Sequence, residues 1–190
     1  MGWQETRWIT VNGGVFGKRI MNLDLRSGNI IEVPADVMIA TANPWLEMTG
    51  GVNLAIILSD KGEDIYEELQ KNLPNTKPKV VAPGTVLRTS GGTLPVKYIL
   101  HAVAITPSYE STEELVTETI QKALNMAQEC EAKTVTLSAL ATGFGPLSME
   151  EFASALNPVL QYDWSPLENL IVVVKHSQEV EQIRNRLSRF

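Results

Sequence analysis

Two segments of this chain share one plan: an apolar strand pattern, a glycine-rich loop, and then directly the start of a helix. The first is Ala40-Thr41-Ala42-Asn43, followed after a short loop by Gly50-Gly51-Val52-Asn53. The second is Leu137-Ser138-Ala139, followed by Thr142-Gly143-Phe144-Gly145 and a helical pattern from Met149. Strands that pass directly into helices must have those helices cover the sheet, which confines the chain to an α/β arrangement. Apolar runs rich in β-branched residues fall at 8–11, 19–25, 36–42, 85–88, 97–105, 134–138 and 170–175, bounded by Gly, Pro, Asn or Ser. Helical patterns lie at 52–58, 63–72, 112–131, 149–162 and 178–188, with Ser111-Thr112-Glu113-Glu114 as the clearest start signal. Alternation over the second half predicts crossovers and parallel pairing, whereas the first two runs, with no helix between them, predict an antiparallel edge. The expected fold is a three-layer α/β/α sandwich with a mixed, mostly parallel central sheet.

Composition narrows the function classes. At 190 residues the chain suits a single domain over residues 1–190. Sixteen basic against 22 acidic residues give a net charge of −6, so the overall field repels nucleic-acid backbones. The arginines at 184, 186 and 189 are expected to form a solvated helix face. Cys130 is the one cysteine, which forbids an internal disulfide and a cysteine-based zinc cluster. The N-terminus carries no apolar signal core and no apolar run is long enough to span a membrane. A cytoplasmic location, without membrane, metal or cofactor, is the expectation. His101 sits within an apolar strand pattern and His176 at the end of another, so a structural role is expected for His101 and no metal for either.

The two loops suit an anion. Adjacent Gly50 and Gly51 let a ligand approach the backbone, and the helix that begins beside them directs free N–H groups to the same place. The Gly143-Phe144-Gly145 turn after Ser138 can wrap further N–H groups around a diphosphate, with Phe144 offering an aromatic face. A Gly-Gly pair or a Gly-x-Gly turn is weak alone; the pair of loops, with Asn43 at one strand end, is the stronger signal.

From Ser27 to about Ala153 these residues carry a family resemblance. The order Gly28-Asn29-Ile30-Ile31, Asp36 to Asn43, Gly50-Gly51-Val52, Gly62, Gly84 to Leu94, Tyr98-Ile99-Leu100-His101 and Ala139 to Gly145 resembles the macrodomain family. The resemblance implies binding of ADP-ribose or of ADP-ribosylated protein. In some members it also implies removal of ADP-ribose from protein or deacetylation of O-acetyl-ADP-ribose. It implies that Asn29, with Ile30 beside it, stands where the family commonly has an adenine-binding Asp, so adenine selectivity is expected to be weaker. It assigns Asn43 to the distal ribose, Gly50, Gly51 and Val52 to that ribose and the diphosphate, and Ser138 with Thr142, Gly143, Phe144 and Gly145 to the phosphate loop.

Turnover needs a water aimed at the anomeric carbon and a group to take its proton. In the hydrolase branch that this loop resembles, an Asp follows the Gly-Gly-Val; here the residue is Asn53, whose amide is no general base. The remaining catalytic arrangement is a water held between Asn43 and the phosphates, with Asn53 beside it. Glu47, in the same loop, is expected to be a solvated group, and Trp45 to pack beneath the loop. Binding of ADP-ribose therefore leads, hydrolysis or deacetylation is the alternative, and a vestigial pocket in a protein-interaction domain is the third reading.

Overall fold

The computed structural model describes residues 21–75 and 77–190. Among these residues six strands, β1 (Asn22–Ser27), β2 (Val37–Ala42), β3 (Val86–Ser90), β4 (Tyr98–Val103), β5 (Thr134–Ser138) and β6 (Asn169–Val174), form one sheet in the order β1-β6-β5-β2-β4-β3. All neighbouring pairs are parallel except β3 with β4. Five helices accompany them: α1 (Gly51–Ile57), α2 (Gly62–Gln70), α3 (Glu113–Glu129), α4 (Met149–Val159) and α5 (Ser177–Leu187).

Strand alternation divides the core in two. Val37, Ile39, Leu100, Val135 and Leu137 point to one face, where they meet Ile120 and Leu124 of α3, Phe152 and Leu156 of α4 and Ile183 of α5. Met38, Ala40, Ile99, Val103 and Ile171 point to the other, against Ile56 of α1 and Ile65 and Leu69 of α2. Apolar side chains on both faces of the central strands are what a doubly covered parallel sheet requires, and the result is a three-layer α/β/α sandwich.

The sequence-predicted run at 8–11 and the start of the one at 19–25 lie outside the described residues. The antiparallel edge expected between the first two runs therefore also falls outside the described residues; within them β1 pairs in parallel with β6, and an antiparallel pair that the sequence did not single out joins β3 and β4. A single 3₁₀ turn, Ile30–Glu32, was not foreseen. Helix α4 ends at Val159, three residues before the expected Tyr162, and the chain leaves it through tighter turns in which Gln161 N returns to Pro158 O and Tyr162 N to Val159 O. Arg186 of α5 donates from Nε to Ser154 Oγ at 2.8 Å and lies over the Phe190 ring, so this arginine is engaged within the fold.

Asp36 ties the entry ends of three strands together. Its carboxylate accepts from Lys133 N at 2.9 Å and Thr134 N at 3.0 Å, and pairs with Lys97 Nζ at 2.9 Å. Burial pushes this carboxyl up, but the Lys97 ammonium and the two amides outweigh it and hold it below the ordinary value of 3.8.

Candidate functional site

Strands β2 and β5 pair only as far as Ile39 and Leu137. Beyond that point Ser138 Oγ bridges them, accepting from Thr41 N at 2.9 Å and donating to Ile39 O at 3.3 Å. The hydroxyl is thus used by the fold, and the strand ends part above it. Connections leave the carboxyl ends of β2 and β5 toward opposite faces of the sheet, the arrangement that opens a ligand crevice in α/β proteins.

A cleft of about 480 Å³ occupies this opening. It crosses the ends of four strands, from Ile105 and Tyr109 after β4, past Thr41, Ala42 and Asn43 of β2 and Ser138 and Ala139 of β5, to Val173, Val174 and Lys175 at β6. Three inter-strand steps make it about 14 Å long, so it suits an elongated ligand. Residues 49–53 form one long wall and residues 141–145 the other. Of the predicted site residues, Asn43, Gly50, Gly51, Val52, Asn53, Ser138, Thr142, Gly143, Phe144 and Gly145 all line the cleft. Asn29 and Ile30 do not: Ile30 is buried in the core, and Asn29 donates from Nδ2 to Glu32 Oε1 at 2.9 Å, leaving its carbonyl as an acceptor.

The walls are built from backbone. Gly51 has φ +55° and Gly143 φ +72°, conformations costly for other residues, and an added Cβ at either would meet nothing within 4 Å. Open space at both positions brings a ligand to the main chain itself. The first turn of α1 leaves the N–H groups of Gly51, Val52 and Asn53 without intrahelical acceptors. Across the cleft, Gly145 N and Leu147 N return to Thr142 O and Ala141 O, which turns the loop without using the N–H groups of Gly143 and Phe144. The capping box of Ser148 and Glu151 starts α4 behind this turn. The Phe144 ring, 80% exposed, lies over Gly50, where an added Cβ would come within 2.7 Å of its Cε2; the aromatic edge bridges the two walls.

The two asparagines of the cleft are held in different ways. Asn43 shapes its own loop: Oδ1 accepts from Trp45 N and Glu47 N, each at 3.1 Å, and Nδ2 donates to Glu47 O at 2.8 Å. One Nδ2 hydrogen remains for a ligand. Replacement by Ala strips three loop bonds, so Asn43→Ala is expected to lose about 1–3 kcal/mol in denaturant unfolding. Asn53 is 6% exposed, and its Oδ1 is buried without a partner. A donor on a ligand would relieve that deficit.

Charge in the cleft is sparse: Lys175 and Glu179 line the β6 end, and Glu179 accepts from His176 N at 2.8 Å to cap α5. Glu47 lies outside the lining and accepts from Tyr66 O–H at 2.8 Å, which raises the Tyr66 phenol above its ordinary value. Among the described residues no three His, Cys, Asp or Glu side chains converge as a metal site would require, and no helix is long and apolar enough to cross a membrane.

Sequence reading missed the end walls: Ile105 and Tyr109, Met149, and the β6 segment with Glu179. These residues are brought together by strand order, which no local pattern encodes. Tyr109 had one signal, an aromatic in a polar loop just beyond the carboxyl end of a predicted strand.

The Macro domain family model matches residues 39–156, more than half of the chain and spanning both loops. The chain belongs to the Macro domain family. An uncharacterized protein of Sulfurisphaera tokodaii is 32% identical over 165 residues, covering 86% of this macrodomain and 88% of the relative. Another, of Pyrobaculum aerophilum, is 37% identical over 139 residues, covering 71% and 74%. Among solved structures, a glycine-to-valine variant of the Oceanobacillus iheyensis macrodomain with ADPR superposes with a TM-score of 0.78 at 21% identity, covering 97% of this chain and 98% of that one. The Trypanosoma brucei macrodomain in complex with ADP-ribose gives 0.73 at 17%, covering 86% and 68%. At these identities the likeness is one of fold.

Proposed function

We propose that this macrodomain binds ADP-ribose, free or attached to protein, along the cleft between its two glycine-lined walls. The observation that carries this reading is the pair of backbone walls, with open space at Gly51 and Gly143 and unengaged N–H groups on both sides of a cleft about 14 Å long. Main-chain donors on two sides suit a diphosphate in the middle. The β6 end, where Val173 and Val174 add apolar surface beside Lys175 and Glu179, suits the nucleobase, and the end with Asn43 and Asn53 suits the distal ribose, whose hydroxyls supply the donor that Asn53 Oδ1 lacks. Asn29, after the neighbouring strand β1, contributes at most an edge contact to the base through its carbonyl. The solved macrodomains with ADPR and ADP-ribose support the ligand class.

Binding without turnover is favoured by one residue. Asn53, where the hydrolase branch that this loop resembles has an Asp, offers an amide that takes no proton at neutral pH. A thermal-shift titration tests the reading: ADP-ribose at 100 times its Kd should stabilise the protein by about 2.7 kcal/mol. No shift at millimolar ligand would sink it.

A further inference from the structure

Five residues other than glycine among those described have left-handed backbone; Lys61 and Glu131 flank helices, while Leu46, Tyr109 and Ala141 belong to the loops around the cleft. Ala141 and Tyr109 line it, and Tyr109 is the bulky one of the two. A bulky residue at φ +61° is strained, and strain of this kind persists only where the surroundings impose it. Here a closed turn imposes it. Tyr109 N donates to Thr106 O at 2.9 Å, Thr106 Oγ1 accepts from Ser108 N and Glu110 N, and Thr106 N returns to Glu110 O at 2.8 Å. The ring rests on Trp45 of the Asn43 loop, with centroids 5.8 Å apart, and yet remains 48% exposed. The fold thus spends backbone strain to hold a half-exposed aromatic at the β4 end, next to the Asn43 loop and at the opposite end from Val173 and Val174.

We infer that Tyr109, seated on Trp45, is a specificity-determining residue that receives the peptide segment attached to the distal ribose of an ADP-ribosylated protein. This inference rests on the proposed ligand. If the nucleobase takes the β6 end, whatever is joined to the distal ribose leaves the cleft at the β4 end, over Tyr109. A flat ring with a phenolic hydroxyl, fixed at little entropic cost, is suited to a peptide's mixed apolar and amide surface.

The experiment compares Tyr109→Gly and Tyr109→Asn with the wild type, titrating each with ADP-ribose and with a peptide carrying ADP-ribose through a hydrolysis-resistant linkage. Both replacements accept left-handed backbone, so the loop is kept and the melting temperature should hold or rise. The inference expects the conjugate to lose about tenfold more affinity than free ADP-ribose does, the loss of one interfacial aromatic. Equal weakening toward both ligands, or toward neither, would overturn it and leave the ligand assignment standing. A wild type that binds neither ligand would overturn the ligand assignment itself, and the inference with it.

Discussion

Gly51→Glu is expected to weaken ADP-ribose binding by about 100-fold while leaving the fold intact. The Cβ at this position meets nothing within 4 Å, so the new side chain is accommodated, and it enters the wall of the cleft. A carboxylate about 5 Å from a phosphate, at an effective dielectric of about 20, costs roughly 3 kcal/mol, which is about two decades in Kd. The left-handed φ of +55° adds a stability cost of about 1–2 kcal/mol for any non-glycine residue. Gly51→Ala separates the two effects, because it carries the backbone cost without charge and should bind nearly as well as wild type. Titration of both variants by calorimetry, with melting curves alongside, checks the result. Equal affinity in Gly51→Glu and wild type would mean that no anion sits at this wall.

Folding stability is expected to fall by roughly 3 kcal/mol as pH drops from about 6.5 to about 4, and His101 is the reason. The imidazole is fully buried, and burial pushes its pKa down from 6.5 to about 4. Nε2 stands 2.9 Å from Thr89 Oγ1, which in turn can donate to Ser90 O, while Nδ1 has no partner. A consistent network has Nε2–H donating to Thr89 and Nδ1 bare, so a second proton would bury a charge and an unpaired donor together. Between the two values the unfolded chain binds the proton and the folded one does not, so stability rises with pH across this window. Asp36 acts lower down. Its depressed carboxyl contributes stability above its ordinary value of 3.8, lost as pH falls below that value. His101→Leu should flatten the slope between pH 6.5 and 4 in denaturant titrations and leave the Asp36 region unchanged. An unaltered slope in that variant would show that another group carries the dependence.

Local chemistry made the loops legible. Glycine-rich loops, β-branched strands and the Ser111-Thr112-Glu113-Glu114 start are short-range signals, and among the described residues each sits where the sequence reading put it, within a few residues, with Thr112 capping α3. Pairing was not legible in the same way: the antiparallel β3–β4 pair and the parallel β1–β6 pair join strands that no local pattern marks as neighbours. The same limit hid the ends of the cleft. Val173 and Tyr109 face it only because β6 lies beside β5 and β4 beside β2. The family resemblance assigned Ser138 and Asn43 to the ligand and said nothing of their bonds within the fold. The structure commits the Ser138 hydroxyl and three of the Asn43 bonds to the backbone, and leaves one Asn43 hydrogen and the Asn53 carbonyl for other partners.

The claim that the cleft takes ADP-ribose is tested most directly by calorimetric titration of the wild-type protein with ADP-ribose, and with AMP in parallel. The account predicts micromolar ADP-ribose binding that clearly exceeds AMP binding, because the walls hold the diphosphate and the Asn43 end holds the distal ribose, neither of which AMP supplies in full. No heat with ADP-ribose at millimolar concentration, or AMP binding as tightly as ADP-ribose, would contradict it.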